Sequence, residues 1–291
     1  MYYKRDEWLG KEDEISDDIV KYLRKNGFPH FDVSIEQQKK DMITMKKYLS
    51  KNNIIDGDTI KQTMHCLGLC WTYHPHHWEI QCGNGKTPMD VFNDDKLLKK
   101  SILKRMKGGS HINPAMIRKN LKVSGTQTVS NFRPSVATTI YNKYAGEGKV
   151  YDPCMGFGGR LIGALCSDQV KSYTGVDPSL KTFNGISRMA ENLGKGKELN
   201  LYCQCAEQVI PNGMFDLVFT SPPYFDTEKY SNEPTQSYKK YPTYEKWFDG
   251  FLTKMIDNSL GILKSNGYLI INIANVKSAP TLENDFKALM E

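Results

Sequence analysis

The sequence predicts an α/β fold with a mostly parallel sheet, preceded by a helical, lysine-rich region. Three observations lead there. Short apolar runs at Lys149–Asp152, Ser172–Val176, 199–203 and 217–219 recur with helical patterns between them, the rhythm of βαβ units. The first run enters a glycine-rich turn, Pro153 to Gly159, and then an apolar helical pattern from Arg160 to Leu165. The run 217–219 stops at a pair of prolines, as a buried parallel strand stops at the edge of its sheet.

Composition sets outer bounds. With 291 residues, 39% of them hydrophobic and 25% charged, the chain can bury one large core or two modest ones. A formal charge of +6 permits an anionic partner without requiring one. The N-terminus runs straight into charge, Lys4-Arg5-Asp6-Glu7, and lacks the apolar core of a signal peptide. No stretch approaches a membrane span, so no membrane association and a cytoplasmic location are expected. Seven cysteines without framework spacing are expected to be reduced thiols.

In chain order, Ile19, Tyr22 and Leu23 suggest one amphipathic helix, and Ile35 to Leu49, with Met42 and Met45, a second. Asp58 is placed to cap a third. His65, Cys66, Cys70, His74, His76, His77 and Cys82 crowd one stretch, which invites a zinc reading. Their spacing matches none of the usual zinc patterns, and Trp71, Tyr73 and Trp78 among them suit a core, so no metal is assigned. From Asp94 to Lys122 the chain is strongly basic, with Leu97, Leu98, Ile102, Leu103 and Met106 as one helix stripe. The opposite face, with Lys99, Lys100, Lys104 and Arg105, is either solvated or set against phosphates. Ser124-Gly125-Thr126 looks like a joint, giving residues 1–125 as the helical region and 126–291 as the sheet domain.

Within that domain, Asn131-Phe132-Arg133-Pro134 reads as a loop before a helix carrying Val136, Ile140 and Tyr141. Gly156 and Gly158 let the backbone pass close to a ligand. Asp177 ends its strand where a carboxylate can accept from both hydroxyls of a ribose, although Asp177-Pro178-Ser179 also suits a helix cap. Ala206 and Glu207 follow the third strand. The loop to Pro242 interleaves Tyr230, Tyr238 and Tyr241 with Lys239 and Lys240, as nucleic-acid contacts do and as ordinary exposed loops also do. Thr243 then caps a helix with Trp247, Phe251, Leu252, Met255 and Ile256 on one face, and Tyr268 to Ile273 forms a further strand.

The run Thr220-Ser221-Pro222-Pro223-Tyr224 carries the chemistry. Ser221 can accept a hydrogen bond from an amino group, and Pro222, which has no N–H, leaves a rigid carbonyl to accept another. Two fixed acceptors draw a ring-conjugated amine toward tetrahedral geometry and free its lone pair. Tyr224 can stack on the ring, so positioning and fixed dipoles lower the barrier.

With Asp152-Pro153-Cys154-Met155-Gly156-Phe157-Gly158 upstream, this run resembles the paired signature of the DNA amino-methyltransferases. The resemblance covers roughly residues 128 to 276. It implies a Rossmann-like methyltransferase fold and S-adenosyl-L-methionine as cofactor. Asn131, Phe132, Arg133, Asp152, Pro153, Cys154, Gly156, Gly158, Asp177 and Glu207 fall at its cofactor positions, and Ser221, Pro222, Pro223 and Tyr224 at its catalytic ones. The serine form implies DNA cytosine N4 as the methyl acceptor, with adenine N6 second. Gly159-Arg160 departs from the family, where Ser or Thr is common. The family's sheet also continues with a helix and two further strands, for which Thr281 to Glu291 offers only a helix start. Related folds act on RNA bases or a protein amide, and a non-catalytic scaffold is a further alternative.

Overall fold

The computed structural model describes residues 1–123 and 125–291, so Ser124 of the expected joint lies outside the described residues. Contacts group the chain into two units, 1–31 with 75–129 and 32–74 with 130–291. A single boundary at 125 therefore needs correction. Residues 32–74 carry Met45, Leu69, Cys70 and Tyr73, which are buried in one cluster with Ala137, Leu161 and Ile186 of the sheet unit.

In the first unit, helices Glu12–Asn26, Asp95–Gly108 and Pro114–Leu121 bury Ile19, Leu23, Leu98, Ile102 and Ile117 around Trp78. Asp94 starts the second of these by accepting from the Lys96 and Leu97 N–H groups. Part of the basic run is bound internally. Lys99 pairs with Asp17 at 2.7 Å, Arg105 donates to the His111 carbonyl, and Arg118 lies 3.8 Å over the Phe31 ring. Lys96, Lys100, Lys104 and Lys107 are exposed.

The second unit holds a five-stranded, all-parallel sheet: β1 Lys149–Asp152, β2 Ser172–Val176, β3 Glu198–Tyr202, β4 Phe215–Thr220 and β5 Leu263–Ile271. Its order is β5-β4-β1-β2-β3, a Rossmann-like α/β arrangement as expected. Neighbouring residues alternate between two buried faces: Val150, Leu217 and Phe219 join one cluster, and Tyr151 and Val218 another. The order reverses beside β1, whose ladder to β4 is only Val150–Leu217 and Tyr151–Val218. Beyond those pairs, the carboxyl ends of β1 and β4 open toward one another, which is where such sheets place ligands.

After β5 the described residues add the helix Leu282–Met290 and no further strand of this sheet. Other expectations change. Instead of capping a third helix, Asp58 lies in the turn of a small hairpin, Ile55–Asp56 against Thr59–Ile60, where Gly57 takes φ +58°. Cys203 lies past the end of β3 and is exposed. Among the described residues no three metal-binding side chains come together, and no helix is long and apolar enough to cross a membrane.

Candidate functional site

Within the sheet unit a cavity of about 660 Å³ opens at the carboxyl ends of β1, β2 and β4. Its size is that of clefts which enclose a small organic ligand. The turn after β1 supplies Cys154, Gly156 and Phe157, the end of β2 supplies Asp177, and the end of β4 supplies Ser221 and Tyr224. Asn131, Phe132, Arg133, Glu207, Pro222 and Pro223 also line it.

Sequence explains the turn. Gly156 and Gly158 adopt φ +53° and +77°, where a side chain would be strained. A Cβ at Gly159 would sit 2.0 Å from the Phe132 carbonyl oxygen, so this glycine brings the 131–133 segment against the helix that follows. Asn131 fixes that approach by donating to the Phe157 carbonyl at 3.2 Å. The Gly156 N–H donates to Asp177 Oδ2 at 3.2 Å, joining the turn to the end of β2.

Asp152 requires a correction. It is fully buried and does not line the cavity. Its Oδ2 accepts from Arg160 Nε at 2.8 Å and from Tyr173 at 2.8 Å, and its Oδ1 accepts from Thr220 at 2.8 Å. Arg160 supplies the charge that lets a carboxylate remain inside the core, and Asp152 in turn holds the guanidinium firmly protonated despite its burial. Asp152 therefore ties β1 to β2, β4 and the turn. Pro153 and Gly158 likewise shape the turn without lining the cavity. The family departure at Arg160 is thus the partner of the acid eight residues before it.

Asp177 does face the cavity, and its Oδ1 also accepts from the Ser179 N–H at 2.9 Å. The cap and the ligand-facing position are occupied by one side chain. Burial pushes its carboxyl up to about 7, against the opposing pull of the two backbone donors. In the unfolded chain an aspartate titrates at about 3.9. The associated stability is therefore full below that value and is lost as pH rises through about 7.

Glu207, a cofactor position of the resemblance, reaches the cavity with its Oε1 already engaged by Lys240, in an ion pair, and by Tyr241. Two further side chains of the loop bond within it, Tyr238 donating to the Ser231 carbonyl and Lys239 to the Asn232 carbonyl.

Two cavity residues carry no motif in the sequence. Asn272, just past β5, donates from Nδ2 to Ser221 Oγ at 3.0 Å and to Tyr224 Oη at 2.8 Å, while Tyr224 donates to the Asn272 carbonyl at 3.1 Å. Its N–H pairs with the Thr220 carbonyl, so the sheet itself sets its position. The second is Glu228, on the cavity wall, which accepts from Tyr230 and from the Ser130 N–H. After Tyr224 the chain turns through Phe225 at φ +54°, a left-handed non-glycine residue held between Tyr244 and Trp247.

No protein-family model matches the sequence, and no curated protein is similar to it. Solved structures similar in part include three methyltransferases or methylases. The CcbJ methyltransferase from Streptomyces caelestis aligns over 48% of this chain and 48% of its own, at 12% identity and a TM-score of 0.36. This chain thus spans about half the length of that protein. An rRNA methylase from Streptococcus thermophilus aligns over 54% and 81%, at 15% identity and 0.37, and a putative rRNA-methylase from Clostridium thermocellum over 56% and 83%, at 12% and 0.40. The Rossmann-like assignment rests on the strand order of this chain itself.

Proposed function

We propose that this protein transfers a methyl group from S-adenosyl-L-methionine to the exocyclic amine of a nucleic-acid base, with cytosine N4 in DNA as the first candidate. One observation carries the reading: the glycine turn, Asp177 and the Ser-Pro-Pro-Tyr run line a single cavity. Both halves of the sequence signature therefore share one chamber. The residues present fit the cofactor, since Asp177 offers a carboxylate to ribose hydroxyls and Gly156 leaves open space beside the turn.

When bound, the cofactor supplies a methyl group activated by its sulfonium charge. The chain's own residues prepare the acceptor. Asn272 occupies one acceptor site of Ser221 Oγ and leaves the other for an amine N–H. The Pro222 carbonyl accepts the second N–H. Tyr224, anchored at its hydroxyl by Asn272, offers its ring face to the base. These dipoles are fixed before the amine arrives, so little reorganisation is needed as its lone pair is freed. A base stacked in a duplex must first be flipped out, at a cost of a few kcal/mol.

Incubation with methyl-labelled S-adenosylmethionine and either DNA or RNA, followed by nucleoside analysis, tests the proposal. Label in N4-methylcytosine from DNA is expected. Label in adenine or in RNA would move the substrate, and no label in any nucleic acid would remove the activity.

Asp177 gives a pH dependence. Ribose hydroxyls favour the carboxylate, so affinity for S-adenosylhomocysteine should rise with pH toward a plateau above about 7. Below that point it should fall by up to about tenfold per pH unit. Calorimetric titration across pH 5.5 to 8.5 measures this, and Asp177→Asn should flatten the profile. An equal slope in both proteins would separate Asp177 from the ligand.

Nucleic-acid binding makes a further demand on the exposed lysines of helix Asp95–Gly108 and its start. Replacing Lys96, Lys100, Lys104 and Lys107 by glutamine should weaken DNA binding and reduce the slope of log K against log salt by about 0.9 for each phosphate no longer neutralised. Anisotropy titrations at several salt concentrations would show it, and an unchanged slope would exclude this face.

A further inference from the structure

Five charged side chains line the cavity: Arg133, Arg160, Asp177, Glu207 and Glu228. Two are neutralised within the protein, Arg160 by Asp152 and Glu207 by Lys240. The other three have no ion-pair partner among the described residues. Asp177 accepts from the Gly156 and Ser179 N–H groups and is the residue given to the ribose. Arg133 donates only to the neutral Gln62 side chain, at 3.2 Å, and Glu228 accepts only from the neutral Tyr230 hydroxyl and the Ser130 N–H.

They also flank one segment. Glu228 is bonded to residue 130, Arg133 lies three residues on, and the backbone between them packs against the glycine turn at Gly159. A carboxylate and a guanidinium on the same wall that do not pair with each other offer opposite charges to a ligand carrying both. An α-amino-acid group is such a ligand: its carboxylate suits the planar fork of arginine, and its ammonium suits a carboxylate acceptor.

Resting on the methyltransferase reading, we infer that Glu228 and Arg133 together clamp the amino-acid end of the cofactor, Glu228 taking the ammonium and Arg133 the carboxylate. Burial of an uncompensated acid pushes the Glu228 carboxyl up, and an arriving ammonium reverses that penalty. Tyr230 and Ser130 orient the carboxylate, and Gln62 steadies the guanidinium.

The test compares two probes, S-adenosylhomocysteine and 5′-methylthioadenosine, which lacks the amino-acid end. By calorimetry, Glu228→Gln and Arg133→Gln should each weaken S-adenosylhomocysteine about tenfold or more. Both should leave 5′-methylthioadenosine within about twofold of the unaltered protein, which also shows that the variants are folded. Equal losses for the two probes, or undiminished S-adenosylhomocysteine binding with slower methyl transfer, would overturn the clamp and leave the methyltransferase reading standing. Failure of the unaltered protein to bind either probe would remove both.

Discussion

Ser221→Ala should lower the methyl-transfer rate constant about a hundredfold while leaving cofactor affinity unchanged. That magnitude follows from the cost of removing one preorganised dipole at a reacting centre, about 10²–10³ in rate. Ser221 sits just past β4, and its hydroxyl is set by Asn272, just past the neighbouring β5. Alanine removes the acceptor and leaves the backbone in place. Tyr224→Ala should cost at least as much, since it removes both the stacking face and the anchor to Asn272. Tyr224→Phe keeps the face and loses only the anchor, so a smaller loss is expected. Single-turnover rates at saturating cofactor, with affinity measured in parallel, separate these effects. Full activity in Ser221→Ala would contradict the role given to the hydroxyl.

Asp152→Asn should destabilise the sheet unit by about 3–5 kcal/mol, the cost of leaving a buried cation without its counter-ion. Arg160 is 4% exposed, so little water reaches it to compensate. Asparagine also offers one acceptor oxygen in place of the two that now receive Arg160, Tyr173 and Thr220. A fall of about 10 °C in the melting temperature is expected. The double variant Asp152→Asn with Arg160→Met should recover part of the loss, because no unpaired charge remains. Unchanged stability with weakened cofactor binding would instead restore Asp152 to the ligand.

The centre of the sheet could be read in the sequence because β1 and β2 end at an acid and β4 at a pair of prolines, and both faces of a parallel sheet are buried. Ser221, Pro222 and Tyr224 were legible for a related reason: two prolines leave little choice of backbone after a strand. The partner of Asp152 was missed, yet its signal lies in the sequence. Arg160 opens the apolar helical run Leu161-Ile162-Gly163-Ala164-Leu165, and a cation buried there must find an acid. Residues 32–74 were assigned to the wrong unit because helical period shows which face is apolar but not which core receives it. That Met45 shares a cluster with Ala137 is set by tertiary packing alone. Asn272 and Glu228 have no local signature, since an asparagine past a strand and a glutamate in a loop acquire meaning only through what lies across the cavity.

The central claim is that one chamber holds both the cofactor and the amine-binding run. A crystal structure with S-adenosylhomocysteine tests it most directly. The account predicts the ribose hydroxyls on Asp177, the amino-acid end between Arg133 and Glu228, and the sulfur directed at Ser221 and Tyr224. A ligand bound outside this cavity, or with its sulfur walled off from Ser221, would contradict it.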